Sequence, residues 1–505
     1  MASNLWTRRE FLRRVGCVAS ACTATGLARS VLAEQRPTSR PNVLFIISDD
    51  LCTALGGYRH PQCKTPNLDR LAARGVLFEK AYCQYPVCGP SRASIMCGQY
   101  PKALGTMSNG QGSAFRKRYP DLVTMPQLFR RHGYHAARVS KIYHMGIPGD
   151  ILKGTPGVDD PASWDQTVNI KGPEQYAPGK KEDLSPKVQH QGVDFVRVEA
   201  EGDDLVHADG MAARHAIRLL GELRGKPFFL AVGMVRPHVP LAAPKAYFTP
   251  YPADAMKLAE VPAGDLADVP KAAQTQTNAV KYGMDAPQQR KTLSAYYACV
   301  SYMDAQVGKV LDELERLKLT EKTVIVFTSD HGYNLGQHTC WQKLSLWEDA
   351  VRSPLIISAP GARASAARGG RCAKVVELID LHPTLADLCG LQPPAGLPGT
   401  SLRPLVEDPS GKAWKDKVAY TVTRGGGESL RAGRWRYSVW QDGKAGVELY
   451  DHDRDPGEFT NLATDPRHRQ TVEELERQLV EARGRAEHLA QAAPKQPARG
   501  GPARR

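Results

Sequence analysis

The chain has 505 residues, 42% of them hydrophobic, and a formal net charge of +14. That length builds a substantial core with a second, smaller domain, and the composition excludes an intrinsically disordered chain. The charge overstates any basic surface: residues 1–33 hold five Arg and one Glu, the tail after Pro494 holds Lys495, Arg499, Arg504 and Arg505, and subtracting those eight charges from +14 leaves +6. A surplus of that size suits an anionic polymer without requiring nucleic acid.

The N-terminus reads Thr7-Arg8-Arg9-Glu10-Phe11-Leu12-Arg13, followed by a weakly apolar stretch from Val15 to Ala28 and by Val31-Leu32-Ala33. Residues 1–33 resemble a twin-arginine signal peptide with its cleavage site, implying the twin-arginine export machinery as a partner and a periplasmic or extracellular location. The bland alternative is a basic amphipathic helix, against which Gly16, Gly26 and the missing acidic face count. Cys22 after Ala19-Ser20-Ala21 is a candidate for lipid attachment but lacks a Leu three residues before it. No later segment has the roughly 18 apolar residues of a membrane span, so none is expected. Eleven cysteines fall to nine after cleavage and to eight if Cys88 is modified, an even number compatible with disulfides; buried free thiols are the default for several.

Pro41-Asn42-Val43-Leu44-Phe45-Ile46-Ile47-Ser48 has the pattern of a strand buried on both faces and ends in Asp49-Asp50. His135 to Ser140 is a weaker run ending at Lys141, with His144 three residues on. Pro227 to Gly233 leads to Arg236-Pro237-His238, and Thr323 to Thr328 ends in Ser329-Asp330-His331-Gly332. Helical patterns at Leu68 to Arg74, Met125 to His132, Gly210 to Leu223 and Ser294 to Lys318 alternate with these runs, as an α/β fold requires. Open α/β sheets hold their ligands outside the carboxyl ends of the strands. Four runs delivering ionisable residues to one rim have no explanation in burial alone.

The stretches Gly149 to Asp204 and Leu258 to Gln289 show little periodicity and read as insertions near a substrate mouth. After about residue 395 shorter runs (Val418 to Val422, Trp435 to Trp440, Val447 to Tyr450) predict a small antiparallel sheet, followed by a helix from Thr471 to about Leu489. The expected division is therefore a catalytic domain over 34–394, a C-terminal subdomain over 395–491 and a disordered basic tail over 492–505.

Two adjacent carboxylates at a strand end suit a hard divalent cation, and Asp330 adds a third from another strand. Cys88-Gly89-Pro90-Ser91-Arg92 follows about forty residues after Asp49-Asp50. The pentapeptide resembles the type I sulfatase signature, in which the cysteine becomes Cα-formylglycine (3-oxoalanine). A hydrated aldehyde has two hydroxyls, one to attack sulfur and one to expel sulfate later by re-forming the carbonyl; a thiol has no such exit. Many sulfatases carry Asn where His331 stands, and this departure points to the iduronate-2-sulfatase branch.

That resemblance spans nearly all of residues 41–463. Lys64-Thr65-Pro66-Asn67-Leu68-Asp69-Arg70-Leu71 resembles the helix opening before the sulfatase cysteine. Ser140-Lys141-Ile142-Tyr143-His144 is similar to the branch's Gly-Lys-Val-Phe-His. Arg236-Pro237-His238-Val239-Pro240 resembles its substrate-side histidine, Trp341-Gln342-Lys343 its distal lysine, and Glu448-Leu449-Tyr450-Asp451 a common C-terminal sulfatase motif. Two departures stand out: Met96-Cys97-Gly98-Gln99 replaces the usual Leu-Thr-Gly-Arg, which puts recognition by a formylglycine-generating maturation enzyme in doubt, and Ser140 replaces Gly before Lys141.

The resemblance implies an alkaline-phosphatase-like α/β sandwich, with a large mixed central sheet flanked by helices and a smaller C-terminal α+β subdomain. It implies one Ca2+ held by Asp49, Asp50, Asp330 and His331, with modified Cys88 completing the site. Arg92 would hold the formylglycine hydrate, Lys141 and Lys343 would bind sulfate oxygens, His144 would orient or deprotonate the hydrate, and His238 would be the general acid. His338, Trp341 and His60 are weaker candidates for the mouth. The expected activity is hydrolysis of sulfate esters in a sulfated oligo- or polysaccharide, with a 2-O-sulfated uronic acid as the substrate implied. The alternatives are a phosphodiesterase or phosphonate monoester hydrolase on the same scaffold, and a non-catalytic binder of sulfated polysaccharide.

Overall fold

A computed structural model describes residues 40–188, 192–275 and 277–489. The signal, Cys22 and basic-tail expectations lie outside these residues. The fold is built on an eight-stranded sheet: β1 Asn42–Asp49, β2 Val76–Tyr82, β3 His135–Val139, β4 Gln166–Val168, β5 Phe228–Pro237, β6 Thr323–Ser329, β7 Arg352–Ser358 and β8 Gly370–Glu377. Their order is β8-β2-β7-β6-β1-β5-β3-β4. β7 runs antiparallel to both neighbours while the other pairings are parallel, so the sheet is mixed through one reversed strand.

The alternation of β1 explains why helices cover both faces. Leu44 and Ile46 pack into one core with the helices Ala208–Leu223 and Ala286–Arg316, whereas Val43, Phe45 and Ile47 enter another with Cys88–Cys97 and Met125–Arg131. Each such fully buried side chain contributes about 1.5–3 kcal/mol, so the centre of the sheet is a rigid platform for whatever its strand ends carry.

A four-stranded antiparallel sheet, Val418–Thr423, Gly427–Ala432, Trp435–Trp440 and Gly446–Asp451, packs on the helix Arg469–Glu487 through Leu475, Leu479, Ala482 and Ala486. The strand at 427–432 was not anticipated; its sequence, Gly-Glu-Ser-Leu-Arg-Ala, lacks a β-branched run.

Other expectations need correction. Residues 149–204 are not plain loop: they supply β4 and the strands Gly179–Asp183 and Val196–Ala200, which join Leu241–Pro244 in a third sheet. The span 258–289 contains the short helix Ala279–Tyr282. The long helix begins at Ala286 rather than Ser294, because Asp285 and Gln288 form a reciprocal capping box ahead of it. All nine described cysteines are free and buried, so no disulfide forms among the described residues. Nor is any described helix long and apolar enough to cross a membrane.

Candidate functional site

The chemistry-bearing residues meet where β1, β5 and β6 end. Ser48 pairs with Ser329, so Asp49-Asp50 and Asp330 leave neighbouring strands side by side. Asp50 takes a left-handed backbone (φ +60), which Asp tolerates better than most residues; its carbonyl accepts the Tyr296 hydroxyl at 2.8 Å. Oxygens of Asp49, Asp50 and Asp330 lie within 4.8 Å of one another. Beyond His331 the turn is pinned: Gly332 N donates to Ala350 O at 3.0 Å, and a Cβ on Gly332 would stand 2.1 Å from Asp349 O.

Cys88 is the first residue of the helix Cys88–Cys97, whose ten residues are all buried. Its Sγ lies 3.3 Å from Lys343 Nζ, 3.4 Å from His331 Nε2 and 3.6 Å from Asp50 Oδ1. Arg92 is one helical turn on, on the same face. Fully buried, it donates to Asp330 Oδ2 (2.8 Å), Asp49 Oδ1 (3.1 Å), Lys141 O (2.6 Å), Ile142 O (3.1 Å) and Ser48 O (3.1 Å). A guanidinium fork serves this arrangement of carboxylates and carbonyls as no lysine could. Ser91, which sequence reasoning passed over, donates its hydroxyl to Asp330 O.

Lys141 Nζ bonds Asp49 Oδ2 at 2.5 Å, and Lys343 Nζ bonds Asp50 Oδ1 at 2.6 Å. Lys141 sits in a backbone crowded against β5: a Cβ on Gly233 would stand 2.1 Å from Lys141 O. The neighbouring Ser140 holds φ +61, so the replacement of Gly there carries a backbone cost of about 1–2 kcal/mol. Its buried hydroxyl also lacks a partner among the described residues.

Three carboxylates thus face three basic side chains, and the surroundings decide the ionisation of Asp49 and Asp50. Burial raises the Asp50 carboxyl, but Lys343, His238 and His331 outweigh it and hold it at about 2. Asp49 is likewise held well below the usual carboxylate range: burial is overcome by Lys141, His238 and Arg92. Burial and then Asp49 push the Cys88 thiol well up, against Lys343 and Lys141. An unmodified thiol here is therefore protonated and a poor nucleophile.

His331 tests whether these residues fit a cation. Its Nδ1 lies 2.8 Å from Gly332 O, which can only accept, so Nδ1 carries the proton and Nε2 of a neutral ring is bare. Nε2 faces Asp50 Oδ1 at 3.3 Å and Asp330 Oδ1 at 3.8 Å, where a protonated ring pairs with the carboxylates and a neutral one presents a lone pair. A lone pair opposed to two carboxylates is the donor set a divalent cation completes. The Glu348, His452 and Glu458 group also has metal-ligand spacing, but Arg436 and Arg431 already neutralise it.

His238 lies at the end of β5, with Nδ1 donating to Val239 O at 2.6 Å and Nε2 pointing to Asp50 Oδ2 at 3.7 Å. Burial pushes its pKa down to about 4, Asp50 acting in the opposite sense. His144 stands within electrostatic reach of Lys141, Asp49, Arg92 and Lys343; burial and then Lys141 hold it at about 2, and its Nδ1 is buried without a partner among the described residues. The weaker candidates have other duties. His338 bonds Asp265 at 3.0 Å and stacks on Trp347, Trp341 is buried against Phe195, and His60 accepts the Cys63 amide beside Tyr297.

A family model described as Sulfatase matches residues 41–391, and one described as N-sulphoglucosamine sulphohydrolase, C-terminal, matches residues 336–485. Human iduronate 2-sulfatase is 34% identical over 421 residues, covering 75% of this chain and 74% of its own. A solved structure in complex with its substrate D-glucosamine-2-N,6-O-disulfate aligns with TM-score 0.69 at 21% identity, over 89% of this chain and 98% of that one. The phosphonate monoester hydrolase of Agrobacterium radiobacter aligns with TM-score 0.71 at 23% identity, over 88% and 96%. At such identities the likeness to the two solved structures is one of fold.

Proposed function

This chain belongs to the sulfatase family and is a sulfuric ester hydrolase, and from that premise we propose that it acts on a 2-O-sulfated uronic acid within a sulfated saccharide, with residue 88 as a formylglycine hydrate. The observation that carries the reading is the convergence of Lys343, His331 and Asp50 within 3.6 Å of Cys88 Sγ, which stands in for a hydrate oxygen on the same Cβ.

In the proposed reaction one hydrate hydroxyl, passing its proton to the Asp50 carboxylate beside residue 88, attacks sulfur while the bond from sulfur to the sugar oxygen breaks. His238 Nε2 protonates that oxygen, so the sugar leaves as an alcohol. The sulfate ester left on residue 88 is cleaved when the second hydroxyl gives up its proton and the aldehyde carbonyl re-forms, expelling sulfate; water restores the hydrate. His144 is assigned the receipt of that proton: its ring is neutral, and its pKa of about 2 in the free site rises once the anionic ester lies beside it. Lys141 and Lys343 hold the sulfate oxygens, and Arg92 keeps the carboxylates in place. Asp49, Asp50, Asp330 and His331 would hold one divalent cation, proposed as Ca2+ from its three carboxylates; a cation there supplies charge stabilisation for the transferring group. With three carboxylates balanced by three cationic side chains, the cation's charge makes the site attract an anionic ester.

His238 is the member whose role separates substrates. Its pKa of about 4 belongs to the free site, and a bound anionic ester beside Nε2 shifts it upward. His238→Ala is expected to slow a 2-O-sulfated uronate disaccharide by about 10²–10⁴-fold, with a much smaller loss on 4-nitrophenyl sulfate, whose leaving group needs no acid. Equal losses on both, measured as kcat/KM, would remove the general-acid role.

The division at residues 394 and 395 is proposed on the four-stranded sheet and its helix, whose core also takes in Tyr85, Tyr100 and Ile379 from before the boundary. Export by the twin-arginine route is proposed from Arg8-Arg9, and maturation by a formylglycine-generating enzyme from Cys88 to Arg92.

A further inference from the structure

Arg236 shares the segment Arg236-Pro237-His238 with the proposed acid, yet its side chain turns away from the site and is 2% exposed. A buried guanidinium needs a counter-charge and partners for its five donors. Glu174, itself 1% exposed, takes Arg236 Nη2 on both carboxylate oxygens at 2.9 Å. The remaining bonds go to the turn that carries His238 and to the strand that follows it: Arg236 Nη1 donates to His238 O at 3.3 Å and Nε to Ala242 O at 2.7 Å, in the strand Leu241–Pro244. Asp209, fully buried, takes the amides of Val235 at 2.7 Å and Arg236 at 3.0 Å. Ser48 Oγ donates to Arg236 O at 2.7 Å, tying the same turn to the strand that ends in Asp49.

A counter-charge for Arg236 alone could sit anywhere around the guanidinium. Here the carboxylates of Glu174 and Asp209 hold Arg236 from its side chain and its backbone, and Arg236 in turn grips the carbonyls of His238 and Ala242. The imidazole is then left its two side-chain torsions, which its Nδ1 bond to Val239 O restrains. We propose that Glu174 and Asp209 are positioning residues that act through Arg236 to aim His238 Nε2 at the leaving-group oxygen. The inference rests on the reading of His238 as the leaving-group acid. It also gives the 149–204 segment a duty in the reaction, since Glu174 comes from that segment and reaches the strand end 62 residues away.

The test compares Glu174→Ala, Glu174→Gln, His238→Ala and the Glu174→Ala/His238→Ala double variant on two substrates, a 2-O-sulfated uronate disaccharide and 4-nitrophenyl sulfate. Misplacing a catalytic group by about 1 Å costs about 10²-fold, so Glu174→Ala should lose about that much kcat on the sugar sulfate, with KM little changed and a loss on the aryl sulfate below about tenfold. Glu174→Gln keeps the shape and one acceptor oxygen, so it should restore part of the sugar-sulfate rate. If the alanine variant does not fold, the glutamine variant should show the same split at smaller size. The double variant should be no slower than His238→Ala on the sugar sulfate, because residues acting as one unit are not additive. Equal losses on both substrates in the Glu174 variants, while His238→Ala still splits them, would overturn the inference. Should His238→Ala itself fail to split them, the acid assignment falls, and the positioning role with it.

Discussion

Cys88→Ala is expected to lower kcat on the order of 10⁵–10⁶-fold, the scale of removing a covalent nucleophile from an otherwise intact site. The helix Cys88–Cys97 is buried throughout and Arg92 makes five bonds of its own, so the variant should fold and bind sulfate esters almost unchanged. Cys88→Ser separates the two halves of the reaction. Its hydroxyl can take sulfate from the ester but has no second hydroxyl on the same carbon to expel it. A single stoichiometric release of alcohol followed by arrest is the expected time course, read by rapid quench. Sustained turnover by the serine variant would contradict the aldehyde-hydrate account.

The second large effect is loss of the cation. Chelation should abolish activity, with Ca2+ restoring it better than Zn2+ because three of the four candidate ligands are carboxylates. Asp49, Asp50 and Asp330 are already paired with Arg92, Lys141 and Lys343, so they do not simply repel one another. The stability lost on chelation should therefore be the linkage of the bound cation, about 2.7 kcal/mol at a hundredfold excess over Kd. Calorimetric melts in chelator and in Ca2+, beside elemental analysis, measure it; full turnover in chelator with no metal detected would end the assignment. In metal-free protein Lys343→Ala should do more harm to the fold around Asp50 than chelation alone, because it leaves a buried carboxylate without its lysine, at a cost of about 3–5 kcal/mol.

The parts of the site legible in the sequence were those carried by short segments at strand ends. Asp49-Asp50, His238 and Asp330-His331 each follow an apolar run whose burial is visible in its composition, and Lys141 follows a weaker one that carries His135 and Arg138; the end of such a run has one place to go. Strands β2, β7 and β8 were not legible. β2 reads Val-Leu-Phe-Glu-Lys-Ala-Tyr and is partly exposed, β8 begins Gly-Arg-Cys-Ala-Lys, and β7 carries Pro354 at a register shift where a regular ladder would need an amide. The reversal of β7 could not be read either, since direction depends on connections rather than on pattern.

Glu174 and Asp209 were missed for a related reason. Each looks like a solvated carboxylate in its own segment, and the demand they meet is set by Arg236 elsewhere in the chain. The signal available was a lone arginine at the end of a buried strand, which obliges some distant carboxylate to join it. His144 was legible as a residue near Lys141, but its neutrality was not, because it depends on burial and on cations converging from separate elements.

The central claim is that residue 88 works as an aldehyde hydrate and not as a thiol. Tryptic cleavage after Lys80 and Arg92 releases the peptide 81–92, which carries residue 88 together with Cys83 as an internal thiol reference. Mass spectrometry of this peptide from active enzyme is the most direct test. The account predicts a mass lower by about 18 Da than the two-thiol form, the change from CH2SH to CHO, with hydrazide reactivity at residue 88 and kcat proportional to the modified fraction. Full activity from protein whose peptide carries two intact thiols would contradict it.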